Sequence, residues 1–327
     1  MKKILHDRFG RKIEYLRLSV TDRCDMKCDY CRIDSFKDYS EKESWLNFDE
    51  IERIVRAFVE LGVGHVRLTG GEPLLRKNID HLAQRLSSID QLTDLSLSTN
   101  CSRIESMADR LYRSGVQRLN VSLDTLNPDT FYQITKSDLS SVLTGLQAAK
   151  KVGFDPIRIN TVVMRGVNDT EIEQILDYCS ENSFTLRLIE TMPMGQAGQD
   201  STRRYIDLQE IKKSLQKKYN LIPIVLPGGG PARYYHIADS DIKIGFITPL
   251  SQHFCDTCNR IRLTVDGILH TCLGQEHEYP LRDIIRHGVS DKELKQHIMQ
   301  AIALKPEKHE FKENPTISVR SMTRTGG

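Results

Sequence analysis

Apolar and polar residues alternate at two different periods along the first part of the chain. Short period-two runs occupy 15–21 (YLRLSVT), 65–70, 94–100, 118–124, 157–163 and 185–192, and each reads as a strand. Between them, apolar residues recur at helical spacing near 48–62, 78–88, 102–114, 138–152 and 169–181. Asn47, with Glu50 three positions later, forms a capping-box pattern at the start of the first of these helices. Six βα units in a parallel sheet follow, an α/β fold. Period alone leaves a doubly wound sheet and part of a barrel both open, and both gather functional residues at the C-terminal ends of their strands. After Gly195 the pattern changes to a helix near 207–219, the run PGGGPARYYHI at 227–237, and strand-like runs near 242–247 and 261–271. The chain is therefore divided into a domain over 1–195 and a smaller region over 196–327.

With 39% apolar and 28% charged residues, the 327-residue chain has a globular mixture and enough length for a large core. Its net charge of +2 argues against a general nucleic-acid partner, so any anion site must be local. The first twenty residues carry no signal-peptide apolar core, and no run of eighteen apolar residues occurs, so a cytoplasmic protein with no membrane partner is expected. In a reducing compartment eight cysteines, six of them in two tight groups, point to metal or redox chemistry.

The first group, in CDMKCDYC, is Cys24, Cys28 and Cys31; the second is Cys255, Cys258 and Cys272, spaced C-x2-C-x13-C. Such thiolates hold zinc, which takes four ligands in a structural site, or an iron-sulfur cluster. No histidine lies in or beside the first group, whereas His253 and His270 flank the second and keep a zinc site of three cysteines and one histidine open there. A four-iron cluster on three cysteines leaves one iron able to bind a further ligand, which is what a Lewis acid needs.

CDMKCDYC, followed by TGGEPLLR at 69–76, resembles the cysteine signature and glycine-rich element of radical S-adenosylmethionine (SAM) enzymes. CDTCNRIRLTVDGILHTCL at 255–273, GPARYY at 230–235 and the terminal Gly-Gly narrow the resemblance to the GTP 3′,8-cyclases of molybdenum cofactor biosynthesis, and it extends over essentially the whole chain. The resemblance implies a partial (β/α)6 barrel with a C-terminal auxiliary-cluster region. It implies two [4Fe–4S] clusters, one on Cys24, Cys28 and Cys31 binding SAM, the other on Cys255, Cys258 and Cys272 binding GTP. Tyr30, Gly71, Glu72, Ser122 and Met192 match positions that contact SAM, with Gly70 and Gly71 allowing close approach to its methionine amine and Glu72 accepting from that amine. The implied reaction takes hydrogen from C3′ of the GTP ribose with a 5′-deoxyadenosyl radical and closes the carbon radical onto guanine C8, giving 3′,8-cyclo-7,8-dihydro-GTP.

A triphosphate on a nearly neutral chain calls for concentrated arginines, whose planar forks grip phosphate at two points. Arg17, Arg67 and Arg158 sit in strands among apolar residues, and Arg260 and Arg262 lie between ligands of the second cluster. Ser98 and Ile261 join them by resemblance. The chain departs from the family pattern in carrying His65 where lysine is frequent, Arg158 for lysine and Ser98 for threonine. An imidazole makes any phosphate contact by His65 dependent on pH. Arg324, Gly326 and Gly327 end a tail that the resemblance places near the substrate, in a catalytic role. A flavodoxin-type electron donor, a downstream cyclic pyranopterin monophosphate synthase and a homodimer complete the expected partners. Two rivals are a radical SAM enzyme acting on a peptide or another small molecule through one auxiliary cluster, and a zinc-stabilised nucleotide-binding module without enzymatic activity.

Overall fold

Along each central strand, leucine, valine or isoleucine alternates with polar residues, and the sheet sorts the two sets onto opposite faces. The computed structural model describes residues 4–31, 41–195, 197, 202–226, 230–311 and 322–325. Strands β1 (Tyr15–Ser19), β2 (His65–Thr69), β3 (Asp94–Thr99), β4 (Arg118–Ser122), β5 (Ile157–Val163) and β6 (Thr185–Glu190) lie side by side in chain order, all parallel. Right-handed crossovers that always step the same way stack their helices on one face, whereas a doubly wound sheet must reverse its order. The unreversed order therefore makes this sheet a partial barrel.

Its outer face, with Leu16, Leu18, Val66, Leu68, Leu97, Leu119, Val121, Leu186 and Leu188, is buried beneath helices α1 (Phe48–Glu60), α2 (Ile79–Ser87), α3 (Ala108–Arg113), α4 (Pro128–Thr135), α5 (Leu139–Val152) and α6 (Ile172–Asn182). Each such side chain contributes about 1.5–3 kcal/mol by leaving water. The α1 capping box is present: Asn47 Oδ1 accepts from the Glu50 N–H, and Glu50 accepts from the Asn47 N–H, both at 2.9 Å. Cys101 and Cys179 are buried in this core.

The rest of the chain extends both edges of the same sheet. Strands β7 (Leu221–Ile224), β8 (Arg233–Ile237) and β9 (Lys243–Ile247) form an antiparallel run whose last member pairs parallel with β6. On the opposite edge β10 (Arg260–Leu263) pairs parallel with β1, followed by β11 (Ile268–His270) and β12 (Tyr279–Pro280). Among the described residues the resulting sheet has twelve strands. Helix α7 (Leu208–Gln216) precedes β7, and α8 (Leu281–Arg286) and α9 (Asp291–Ala303) follow β12, with α9 tied to α1 by Arg53–Asp291 at 2.8 Å and Lys295–Glu60 at 2.6 Å. A last short turn, α10, spans Met322–Thr325. Among the described residues no helix is long and apolar enough to cross a membrane.

Among the elements that differ from the sequence reading, three bear on the site or the packing around it. Helix α4 was not expected, although Asn127 caps it by accepting from the N–H groups of Asp129 and Thr130 and Pro128 opens it. Nor was α9, which Ser290 and Glu293 start with a second capping box. The helix expected from 102 begins only at Ala108, because Cys101 has a φ of +68° and Asn100 Oδ1 draws the Ser102 N–H into a turn.

Candidate active site

The first cysteine group lies on the loop leaving β1, fitted tightly against the turn after β2. Gly71 N–H donates to Thr21 O at 3.0 Å and Glu72 N–H to Arg23 O at 2.7 Å. A Cβ on Gly70, whose φ is +146°, would stand 2.3 Å from Thr21 O, and one on Gly71 would stand 2.1 Å from Arg23 O. The glycines are thus required by loop-to-loop packing, before any ligand is considered. Glu72 does not line the cavity described below. Its carboxylate accepts from Leu74 N–H (3.1 Å), Thr99 Oγ1 (2.8 Å) and Asn100 N–H (2.7 Å), and burial pushes its pKa up to about 8. Asn100 in turn donates to Asp25 at 2.7 Å and approaches Cys24 Sγ at 3.9 Å, so Glu72 braces the cysteine loop from behind.

The C-terminal end of α4 anchors the other side of that loop, its Thr135 and Ile134 carbonyls accepting from Lys27 and Asp29 N–H groups at 2.8 and 3.0 Å. Tyr30 donates to Asp124 at 2.8 Å, and burial raises Asp124 to about 6. Burial also raises all three thiols, Cys31 to about 12.

The second group is carried by the edge strands: Cys258 two residues before β10, Cys272 two residues after β11 and Cys255 in the turn that precedes Cys258. Arg11, from the N-terminal segment, donates to Cys255 O at 2.8 Å. For Cys258, burial raises the pKa, but Arg260 and Lys305 outweigh it and bring the thiol down to about 6. Among the described residues no group of three or more His, Cys, Asp or Glu side chains is placed to hold a single metal ion.

Both groups open onto one cavity of about 290 Å³, walled in part by the inner face of the barrel. Parallel pairing of β10, β1 and β2 sets Arg262, Arg17 and Arg67 side by side in register. Arg260, Ile261 and Ser98 also line the cavity, as do Tyr30, Gly71, Ser122 and Met192. Arg158 does not, although it is close enough to lower the pKa of Arg187. His65 is also off the wall, stacked on Tyr15 with Nδ1 3.4 Å from Asp94 Oδ2. The Thr325 carbonyl accepts from Arg262 at 3.2 Å and Met322 reaches the cavity wall, so α10 lies against the arginines. The side chain of Arg324, and Gly326 and Gly327, lie outside the described residues.

Sequence reasoning missed Arg187. It lines the cavity, donates to Asn120 Oδ1 and lies opposite Asn160. Its signal was present, an arginine alternating with Leu186 and Leu188 as Arg67 alternates with Val66 and Leu68. Burial, then Arg67 and Arg158, lowers the Arg187 pKa to about 10, while burial and then Arg260 lowers Arg262 to about 9. Like charges packed this closely favour an anion between them. Buried donors await one: Arg67 Nε, Arg187 Nε and Ser98 Oγ have no hydrogen-bond partner among the described residues.

Comparison with known proteins gives two family matches, the radical SAM superfamily over residues 18–179 and Molybdenum Cofactor Synthesis C over 184–311. A GTP 3′,8-cyclase of Marinobacter nauticus is 43% identical over 99% of this chain and 98% of its own length. One from Hydrogenovibrio crunogenus is 43% identical over 99% of both. Among solved structures, Streptococcus suis SuiB bound to S-adenosylmethionine superposes with a TM-score of 0.61 at 16% identity, covering 84% of this chain and 65% of that one, a likeness of fold.

Proposed function

The chain belongs to the GTP 3′,8-cyclase family of radical SAM enzymes, and from that premise we infer that it cyclises GTP in molybdenum cofactor biosynthesis, with the residue roles that follow. The observation that carries the reading is a single cavity onto which two three-cysteine groups and five arginines, Arg17, Arg67, Arg187, Arg260 and Arg262, all open. The residues fit the family's groups: each cysteine set offers three thiols to a [4Fe–4S] cluster, and a cationic wall with unmet donors suits a triphosphate. When bound, the clusters and SAM supply the one-electron chemistry that breaking the ribose C3′–H bond requires.

The chain's own contribution is placement and enclosure. Cys24, Cys28 and Cys31 would hold the SAM-binding cluster, with Tyr30, Gly71, Ser122 and Met192 on the cavity wall beside the cofactor. Glu72 acts one layer back, fixing Asn100 and the cysteine loop. Cys255, Cys258 and Cys272 would hold the guanine end of GTP through the second cluster, while Arg17, Arg67, Arg187, Arg260 and Arg262, with Ser98 and Ile261, hold the rest of the nucleotide. Arg158, in phase along β5 with the cavity-lining Asn160 and Val162, contributes from outside the cavity lining by the long-range field of its charge. Two-point grips on the phosphates fix the ribose relative to the first cysteine group, and such orientation supplies much of the rate in reactions of bound partners. By the family resemblance the tail residues Arg324, Gly326 and Gly327 take a catalytic role, orienting or protecting the radical intermediate. A flavodoxin-type donor, a downstream cyclic pyranopterin monophosphate synthase, a homodimer and a cytoplasmic location complete the reading.

Anaerobically reconstituted protein given SAM, GTP and dithionite should form 3′,8-cyclo-7,8-dihydro-GTP and 5′-deoxyadenosine. The variant with Cys24, Cys28 and Cys31 all replaced by alanine should lose about half its iron and all SAM cleavage. Retained SAM cleavage in that variant overturns the assignment of the first cysteine group.

A further inference from the structure

Lys305 lies just beyond α9 and is 2% exposed, among the largest fully buried side chains of the molecule. An ammonium has three donors, and all three are accounted for. Lys305 Nζ donates to Thr271 O at 2.5 Å, to Arg260 O at 2.9 Å and to Cys258 Sγ at 3.6 Å. Thr271 directly precedes Cys272, and Arg260 follows Cys258 by two residues. One side chain therefore joins the two chain segments that carry these cysteines. The neighbouring residues fix it in place: Arg11 donates to Pro306 O (2.5 Å), Glu307 O (2.6 Å) and Cys255 O (2.8 Å).

A clamp between two carbonyls needs only a neutral donor, whereas a buried ammonium is costly unless an opposite charge answers it. Among the described residues no carboxylate pairs with Lys305, and the guanidinium of Arg260, whose main-chain carbonyl Lys305 contacts, lies 3.8 Å from the same Cys258 Sγ. Two cations beside one sulfur are stable when that sulfur belongs to an anionic centre. Hydrogen bonds to cluster sulfurs stabilise the reduced, more negative state and raise the potential.

We propose that Lys305 is a positioning residue of the second cluster, joining the Cys258 and Cys272 segments and donating an N–H···S bond to Cys258 that raises the cluster's reduction potential. The proposal rests on the reading that Cys255, Cys258 and Cys272 hold a [4Fe–4S] cluster, and its test separates the two. Full-length protein lacking Cys24, Cys28 and Cys31 and reconstituted anaerobically should carry about four irons per chain; absence of iron defeats the cluster reading itself. On that background Lys305→Met keeps the length of the side chain and removes its donors. Its cluster should titrate, by EPR, to a more negative midpoint, with a tenfold lower reduced-to-oxidised ratio at fixed potential, about 59 mV for one electron. Lys305→Arg should recover part of the shift. An unchanged midpoint with iron bound overturns the role of Lys305. Should the Met variant fail to fold or load, pulsed EPR on the protein with Lys305 intact and 15N-labelled lysine decides instead: a lysine 15Nζ hyperfine coupling to the reduced second cluster is expected, and its absence is equally decisive against the proposal.

Discussion

Arg187 stands between two leucines of β6 and faces the cavity opposite Asn160, with its Nε unpartnered among the described residues. A charge-assisted bond to phosphate is worth about 1.5–3 kcal/mol, so Arg187→Ala should weaken GTP binding roughly ten- to a hundredfold, measured calorimetrically, with iron content and SAM binding unchanged. Unaltered GTP affinity would remove Arg187 from the substrate wall. Asp94 serves the same region differently, accepting from Arg118 through both oxygens beneath the cavity. Burial raises its pKa, but hydrogen bonds from His65 and Arg118 outweigh this and lower it from 3.8 to about 2. A carboxyl held below its unfolded value stabilises the fold above pH of about 4, and that stabilisation, about 2 kcal/mol, is lost as pH falls toward 2. In urea unfolding of the cluster-free protein, the deficit of Asp94→Asn should therefore narrow over this window. A deficit independent of pH would place its origin elsewhere.

The turn after β2 and the cysteine loop act as one packed unit. Gly71→Ala puts a methyl group 2.1 Å from Arg23 O, a contact relieved only by moving backbone. We expect this variant to lose the iron bound by Cys24, Cys28 and Cys31 while retaining that of the second group, read as about half the iron of the parent with SAM cleavage abolished. Full iron and normal SAM cleavage would show that the loop tolerates the displacement. Helix α4 supports the same loop from its other side, and β10 performs the matching service for the second group by pairing with β1. Neither cysteine group is held by its own segment alone.

At the scale of the whole molecule, the chain after residue 195 supplies β9 to one edge of the barrel sheet and β10 to the other. A fragment of residues 1–195 would expose β1 and β6 as bare parallel edges, which invite association. Expressed alone it should aggregate or elute well above its monomer size in gel filtration, whereas a monodisperse folded fragment would make it an independent domain. The opposite end of the chain gives a different expectation. Removing Gly326 and Gly327 should leave both clusters, GTP affinity and SAM cleavage in place while abolishing the cyclised product, as read by chromatography of both products. Full-rate cyclisation by the truncated protein would leave the tail without a catalytic part.

By itself the sequence determined the local features: the period-two strands, the helix near 48–62 with its cap, both cysteine groups and the arginines among strand leucines. These were legible because alternation, capping and metal-ligand spacing are short-range properties of the chain. The order of strands was not, since a doubly wound sheet and a barrel share the same period, and only lateral pairing in chain order separates them. Arg187 was passed over, and Arg158 counted as a cavity residue, because which arginine reaches the wall depends on how the barrel curves and on where neighbouring side chains stop. Glu72 offered the same difficulty: an acid after two glycines reads as a ligand for an amine, yet the fold surrounds it with N–H and O–H donors from Leu74, Thr99 and Asn100. Lys305 carried no signal at all, since its three acceptors come from residues more than thirty positions away and exist as a set only after β10, β11 and the end of α9 have packed together.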